Sequence, residues 1–251
     1  MTAAGPSSAG PDPGLKLMTA VLSLIAGSMD ALSFLGLGGL FTAHITGNLV
    51  ILAAHVAAGG TAQAAPMLSV PVFMAALFLA RLLAGGIEKM GRNSLRPLLL
   101  LQLLFLVGCL AICATLGSDF DPNGATATIA CMIAVCALGI QNALVQVSLC
   151  GVPATAVVTT NLSRFTTDIG TILLGEGPST VAQARRRAGR LWPSILGFIV
   201  GCGVGAFSEA RMALTAVALP TGLALIALAM TWAPTFSKVL SRRNRSDLPT
   251  D

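Results

Sequence analysis

The chain has 251 residues, of which 55% are hydrophobic and 10% are charged, and its formal net charge is +5. A soluble globular protein carries about 25% charged residues, so this composition excludes an ordinary soluble domain. The apolar residues occur in runs of about 20, the length that a helix needs to cross about 30 Å of hydrocarbon. The basic residues lie between these runs, where they orient a membrane protein, and they form no aromatic-basic pattern typical of nucleic-acid binding.

The first half of the chain is predicted to contain three membrane spans and one shorter segment. Residues 1–14 are rich in glycine, proline and serine and are expected to form a disordered tail. The predicted spans are 15–35, 67–87 and 97–117. The apolar run at 49–58 is too short to cross and suits a re-entrant half-helix. A basic loop at 88–96 follows the second span, and an acidic turn at 118–124 follows the third.

The second half repeats this plan. Its predicted spans are 125–149, 191–207 and 212–232, the last interrupted by Pro220. A polar short segment is predicted at 157–174, and a linker with three consecutive arginines at 175–190. The chain therefore divides into a first membrane repeat at 15–117, a second at 125–233, and a basic cytoplasmic tail at 234–251.

Four pairs of sequence features occur in the same order in both halves and indicate an internal duplication. They are Met29-Asp30-Ala31 with Gln141-Asn142-Ala143, Thr46-Gly47-Asn48 with Thr159-Thr160-Asn161, Pro71 with Pro193, and Glu88 with Glu209. Each of the two prolines is expected in the first turn of its span, where proline is tolerated. Repeats of this kind are common in channels and secondary transporters.

The distribution of basic residues predicts the topology. With six spans and two re-entrant segments, the inner segments hold 12 of the 15 Lys and Arg residues and the outer segments hold one, Arg211. The positive-inside rule requires such an asymmetry, whereas eight full spans would place the cluster at 88–96 outside. Each half has three spans, an odd number, so the second half is inverted relative to the first. We therefore predict an all-α integral membrane protein of the inner membrane, with both termini in the cytoplasm.

Two groups of polar residues interrupt the apolar sequence, and we call them the first polar segment (residues 42–48) and the second polar segment (residues 159–168). Polar groups inside a bilayer need protein or water partners, so the two segments are candidates for the lining of one site near the midplane. The candidate substrate-binding residues are Asp30, His44, Thr46, Asn48, Gln141, Asn142, Thr159 and Asn161. Gln141 and Asn142 correspond in position to Asp30 and are expected to face it.

Each candidate also has a structural interpretation. Asp30 either binds a solute or proton, or accepts hydrogen bonds from backbone freed at the glycine-rich break that follows its span. Thr46 and Asn48 either cap a half-helix or present its N-terminus to a polar ligand. His44 is either a buried structural residue or a proton relay. Arg164 and Asp168, spaced i,i+4, form either a structural salt bridge or a gating pair.

No catalytic motif and no group of metal ligands with suitable spacing occurs in the sequence. We therefore expect no enzymatic activity, no cofactor and no metal. The six cysteines lie in or beside apolar runs, where cysteine behaves as a small hydrophobic residue. The expected partners are the lipid bilayer and a small polar solute or ion, with no nucleic acid; a homo-oligomer is compatible with the sequence.

Three groups of residues resemble the DUF1275 family, also called YoaK-like membrane proteins. They are Gly27-x-x-Asp30-Ala31-x-x-Phe34-Leu35, Phe41 through Thr46-Gly47-Asn48, and Gly139-x-Gln141-Asn142-Ala143. The resemblance covers about Lys16 to Trp232 and implies a bacterial polytopic inner-membrane protein of unestablished function. The second polar segment departs from the family pattern, because Thr160 replaces glycine and its β-carbon leaves less room for close backbone approach.

Two functions are compatible with these features. The first is a small-solute transporter or channel with a polar site near the bilayer midplane. The alternative is a non-transporting scaffold or accessory protein whose polar segments only satisfy backbone groups.

Overall fold

The computed structural model describes residues 13–60, 63–116, 120–149, 152–153, 158–233 and 236. All regular structure in these residues is helical. The helices are α1 (Pro13–Gly36), α2 (Ile45–Ala57), α3 (Ala64–Lys89), α4 (Leu95–Thr115), α5 (Ala125–Ser148), α6 (Val158–Leu174), α7 (Pro178–Met212), a 3-10 helix (Ala213–Val217) and α8 (Ala218–Met230). The predicted tails at 1–14 and 234–251 lie outside the described residues, except for Pro13, Gly14 and Phe236.

The apolar helices are those of a membrane protein. Five helical stretches of the described chain are long and apolar enough to cross a bilayer, with α7, the 3-10 helix and α8 counted as one stretch. Many large apolar side chains point outward; Leu173, for example, is 81% exposed. A surface of this kind is stable in lipid, whereas a soluble monomer would hide it.

Helix α1 packs closely along α7, and the two helices run parallel. Three glycines of α7 lie in succession against Ala20, Leu24 and Ser28 of α1; they are Gly197, Gly201 and Gly205. A β-carbon at Gly201 would lie 2.5 Å from the Leu24 carbonyl oxygen. Small residues therefore bring the two backbones together, as is common where helices associate in membranes.

The other contacts define two ends of the helix bundle. Ser94 before α4 bonds Ser148 at the end of α5, and Arg96 of α4 bonds the carbonyl of Thr231 after α8. The start of α1 lies at the same end, because Leu22 of α1 accepts a hydrogen bond from Gln141 near the end of α5, whereas Leu37 after α1 accepts one from Cys131 near the start of α5. We call the end that holds Arg96 and the start of α1 the basic end. The opposite end, where α1 finishes, is the Gly36 end.

Three predicted boundaries were wrong. The linker at 175–190 is helical, because α7 begins at Pro178 and continues through the arginine cluster to Met212. Pro193 consequently lies inside α7 rather than in its first turn, and Pro71 lies inside α3 because that helix already begins at Ala64. The last predicted span is broken before Pro220, at Ala213 with φ of 49° and at the 3-10 helix that follows it.

Candidate functional site

The first polar segment folds back into the bundle from the Gly36 end. Gly38 and Gly39 adopt positive φ values of 78° and 79°, which glycine tolerates at little cost and which reverse the chain after α1. The returning residues reach Asp30, which lies six residues before the end of α1. At 1.5 Å per residue, the loop therefore descends about 9 Å alongside the helix. Residues 37–44 are thus irregular backbone beside a buried carboxylate.

Asp30 holds this loop in place. Its side chain is buried, and its Oδ1 accepts hydrogen bonds from the backbone amides of Thr42 at 2.8 Å and Ala43 at 2.6 Å. The Thr42 hydroxyl donates to the same oxygen at 3.1 Å. The other oxygen, Oδ2, lies 2.6 Å from Nδ1 of His44. Both carboxylate oxygens are therefore hydrogen-bonded, which is how a buried carboxylate becomes tolerable.

His44 connects the buried carboxylate to the surface of the bundle. Its side chain is 30% exposed, while that of Asp30 is 3% exposed. The imidazole lies 4.9 Å from the Phe198 ring on α7 and 6.4 Å from the Phe41 ring, between centroids. Its position precedes Ile45, the first residue of α2, and its side chain makes no capping hydrogen bond. His44 therefore links the buried carboxylate to a partly exposed position through a single hydrogen bond.

Asn48 closes the loop instead of capping α2. Its Oδ1 accepts from the Phe41 amide at 2.8 Å, and its Nδ2 donates to the Phe41 carbonyl at 2.8 Å and to Ser69 Oγ at 3.0 Å. The side-chain amide of Asn48 thus pairs with both the N–H and the C=O group of Phe41. Thr46, by contrast, is exposed. The capping interpretation is thus wrong for Asn48, whose amide binds the preceding loop instead of the N-terminus of α2.

The second polar segment lines an open cleft of about 780 Å³ between α6 and the first half of α7. Its charged lining consists of three arginines and one carboxylate: Arg164, Arg187, Arg190 and Asp168. Thr160 and Asn161 also line it; Asn161 is buried, while Thr159 beside them is exposed. The predicted residues of this segment are therefore beside a cavity with a positive charge excess.

Asp168 does not pair with Arg164 as its i,i+4 spacing predicted. It accepts instead from Arg187 of α7, with Nη2 to Oδ1 at 2.7 Å and Nε to both carboxylate oxygens. These hydrogen bonds raise the pKa of the Arg187 guanidinium further above its usual value, so it stays charged. Arg164 is left exposed on the cleft and makes no salt bridge within the described parts of the chain.

Gln141 and Asn142 are buried but do not face Asp30. Gln141 donates to the Leu22 carbonyl at 2.9 Å and accepts from Gln102 at 2.7 Å. Leu22 is eight residues before Asp30, so this link lies about 12 Å from the carboxylate along α1. Asn142 accepts a long bond of 3.4 Å from Gln146. The predicted single site is therefore divided into separate polar groups.

Three contributors were missed by the sequence analysis: Ser69, Gln102 and Arg187. Gln102 carried a usable signal, because an amide in a leucine-rich span is costly unless paired. Its Oε1 is buried and accepts no hydrogen bond from the described protein. Arg187 was assigned to a linker, and only the helical continuation of α7 places it opposite Asp168.

Within the described residues, no three of the His, Cys, Asp and Glu side chains are arranged to hold a metal ion. Cys109 and Cys113, one turn apart on α4, are buried with their sulfur atoms 4.0 Å apart. This separation is that of thiol packing rather than of a disulfide bond.

A model of the family described as "Protein of unknown function (DUF1275)" matches residues 18–230. The chain belongs to the DUF1275 family. This match confirms the resemblance seen in the first polar segment and around Gln141. No curated protein and no solved structure gives a significant match. For this DUF1275 protein, the function must therefore be argued from the two polar segments themselves.

Proposed function

We propose that this DUF1275 protein is a transporter or channel for a small polar solute, and that the solute is an anion. The observation that carries the proposal is the irregular backbone at 37–44, held within the helix bundle by Asp30 and His44. Backbone of this kind at membrane depth is tolerated where it is buried in protein or lines a cavity. Ionisable residues inside membrane helices commonly mark solute and proton pathways.

The packing directions support an inverted repeat of three crossing helices and one half-helix. Helix α1 runs parallel to α7, and its repeat equivalent α5 packs on α3, the equivalent of α7. Each half therefore contributes its first helix to the third helix of the other half. Inverted halves of this type bring two re-entrant segments to opposite faces of one site, which is the usual geometry of alternating access.

The charges of the cleft support an anionic solute. Arg187 is neutralised by Asp168, whereas Arg164 and Arg190 remain as exposed cations on the same lining. A cleft of one sign of charge raises the local concentration of the opposite ion. Because the cleft lies beside the arginines of the first half of α7, on the side that we assign to the cytoplasm by the positive-inside rule, it would serve as the inner vestibule.

In the proposed mechanism, Asp30 and His44 of the first half hold the loop at 37–44 in place, and protonation releases it. We call this pair the latch. Protonation of Asp30 removes its charge and weakens the bonds that hold Thr42 and Ala43. The loop is then released from α1, and solute leaves the cleft of the second polar segment and passes along the boundary between the two halves. A proton and an anion would cross together, so that the coupled step carries no net charge for a monovalent solute.

The alternative of a structural scaffold is favoured by one specific observation. Every polar atom of the Asn48 side chain is engaged by Phe41 and Ser69, so this part of the first polar segment needs no water or solute. In that case the loop at 37–44 stays bound to Asp30, and the cleft of the second polar segment does not continue through the helix bundle.

Cysteine accessibility separates the two functions without knowledge of the solute. Single cysteines at positions 46, 159 and 160 in a cysteine-free background are treated with a membrane-impermeant thiol reagent in proteoliposomes. A conduit predicts that all three react, because water reaches both segments. Leu173→Cys is the matched control, since Leu173 is 81% exposed but apolar and expected to face lipid. Labelling at 160 with no reaction at 46 would favour the scaffold.

Flux measurements then test the latch. Proteoliposomes are assayed with formate, acetate and inorganic phosphate as probes under an imposed proton gradient. Asp30→Asn is expected to insert normally and to abolish proton-linked uptake, because the amide cannot exchange a proton. Uptake by Asp30→Asn at the rate of the unmodified protein would contradict the mechanism, and uptake of none of the probes would contradict the anion assignment.

A further inference from the structure

A second cleft, of about 710 Å³, lies at the basic end between the end of α3, the start of α4 and the end of α8. It is separate in sequence and in space from both polar segments, since none of its lining residues belongs to them. Its volume falls in the range of about 300–1,000 Å³ typical of small-molecule sites.

The walls of this cleft are mostly apolar. Ile87, Leu100 and Leu228 line it together with the ring of Trp232. Leu100 is 47% exposed and Trp232 is 59% exposed, so the cleft is open to the surroundings of the bundle. At this end of apolar helices, an exposed indole is typical of the membrane-water interface. The cleft therefore opens toward lipid rather than toward a soluble partner.

The mouth of the cleft is basic. Arg92 and Arg96 line it, and the described residues of its lining include no carboxylate. The nearest acidic residue in sequence, Glu88, accepts a hydrogen bond from Ser94 at 2.8 Å. Arg92 is exposed and makes no salt bridge among the residues that the structure describes. A ligand at the mouth would therefore meet two arginines that form no salt bridge with the described residues.

Arg96 is held in position before any ligand binds. Its Nη2 donates to the Thr231 carbonyl at 2.9 Å, and its guanidinium lies 5.2 Å from the centre of the Trp232 ring. These contacts use one donor and one face of a group that has five N–H donors. The remaining donors are available for a phosphate oxygen, and little side-chain entropy is lost when they are used.

We infer that this cleft binds an anionic phospholipid, with its phosphate at Arg92 and Arg96 and an acyl chain along Leu100 and Leu228. Only a lipid satisfies both the apolar walls and the basic mouth; a free phosphate would leave the walls in contact with water. Basic pockets between membrane helices on the cytoplasmic side bind anionic head groups in this way. The site is independent of transport.

Trp232 provides a direct reporter, because the chain has only two tryptophans. Trp192→Phe leaves Trp232 as the sole fluorophore in the full-length protein, reconstituted in phosphatidylcholine vesicles containing brominated phosphatidylglycerol or, at the same fraction, brominated phosphatidylcholine. We expect Trp232 to be quenched preferentially by the anionic lipid, with a selectivity of roughly fivefold for each arginine that contributes at the membrane surface.

Two variants and one competitor sharpen the test. Arg92→Gln with Arg96→Gln should bring the two brominated lipids to equal quenching, while quenching by brominated phosphatidylcholine shows that the protein is still inserted. Trp232→Phe, which leaves Trp192 on α7, should show no selectivity. Equal quenching by both lipids in the parent protein would overturn the inference. Loss of selectivity on adding inorganic phosphate, but not sodium chloride of equal ionic strength, would also overturn it, because free phosphate would then be the ligand.

Discussion

The first and second polar segments have similar sequences but different surroundings. In the first, the amide of Asn48 binds Phe41 and the backbone at 42–43 binds Asp30, so the segment closes on itself. In the second, Asn161 lies beside an open cleft lined by arginines. A shared pattern of Thr and Asn therefore fixes where the chain is interrupted, and the neighbours decide whether the interruption is closed or open.

Residue 47 and its counterpart 160 illustrate this difference. A β-carbon at Gly47 would lie 2.9 Å from the Phe41 ring, so the closed loop needs glycine there. The second segment has Thr160, whose side chain lines the cleft. The two positions therefore differ in their surroundings, since residue 47 packs against an aromatic ring and residue 160 borders the open cleft.

The largest difference in stability between the two segments is expected when the carboxylate that belongs to or binds each segment is removed. Asp30→Ala should lower the free energy of unfolding by roughly 3–5 kcal/mol, because it leaves His44 and two backbone amides without their buried acceptor. Asp168→Ala should cost clearly less, since Arg187 is exposed and water replaces its partner. Chemical unfolding in detergent micelles, followed by circular dichroism, measures both. Equal losses would show that the second segment is as closed as the first.

A smaller effect is expected from the two asparagines. Asn48→Ala should destabilise the protein by roughly 2–3 kcal/mol, because the Phe41 amide and carbonyl lose their partners in a buried place. Asn161→Ala should cost less, since its segment borders an open cleft that water can enter. The same unfolding measurement applies. An Asn161→Ala loss that matched that of Asn48→Ala would contradict the open character assigned to the cleft.

The smallest loss of stability is expected at the contact between α1 and α7, the helix pair that supports both segments. Gly201→Ala should lower stability by about 1–3 kcal/mol, because its β-carbon would meet the Leu24 backbone and force the helices apart. Gly203→Ala is the control, since no atom lies within 4 Å of its β-carbon position. It should stabilise the helix slightly. If both substitutions behaved alike in thermal unfolding, close α1–α7 packing would not be what holds the two segments.

Much of the site was predictable because its signals are local. Asp30 is conspicuous as a charge inside an apolar run, and the glycines at 36–39 mark the reversal that brings the loop back to it. The interpretation of Asp30 as an acceptor for freed backbone groups was open in the sequence, and the hydrogen bonds at Thr42 and Ala43 show that it does accept them. Whether it also carries a proton stays a prediction.

The partners that were mispredicted lie far apart in the chain or depend on helix continuity. Spacing favoured Arg164 for Asp168, but the true partner is Arg187, which the helical course of α7 brings opposite. The likeness of Gln141-Asn142 to Met29-Asp30 suggested contact with Asp30, whereas Gln141 binds Leu22 and Gln102. Sequence similarity between halves gives equivalent positions, and equivalent positions need not touch.

By itself, the sequence determined that this protein is a set of apolar helices interrupted by two polar segments, because hydropathy and helix length are properties of short stretches of chain. Only the tertiary structure decided which polar groups meet and which of the two segments remains open. That outcome depends on how closely helices from opposite halves approach, and the missing β-carbon at Gly201 is what lets α7 lie against the Leu24 backbone of α1.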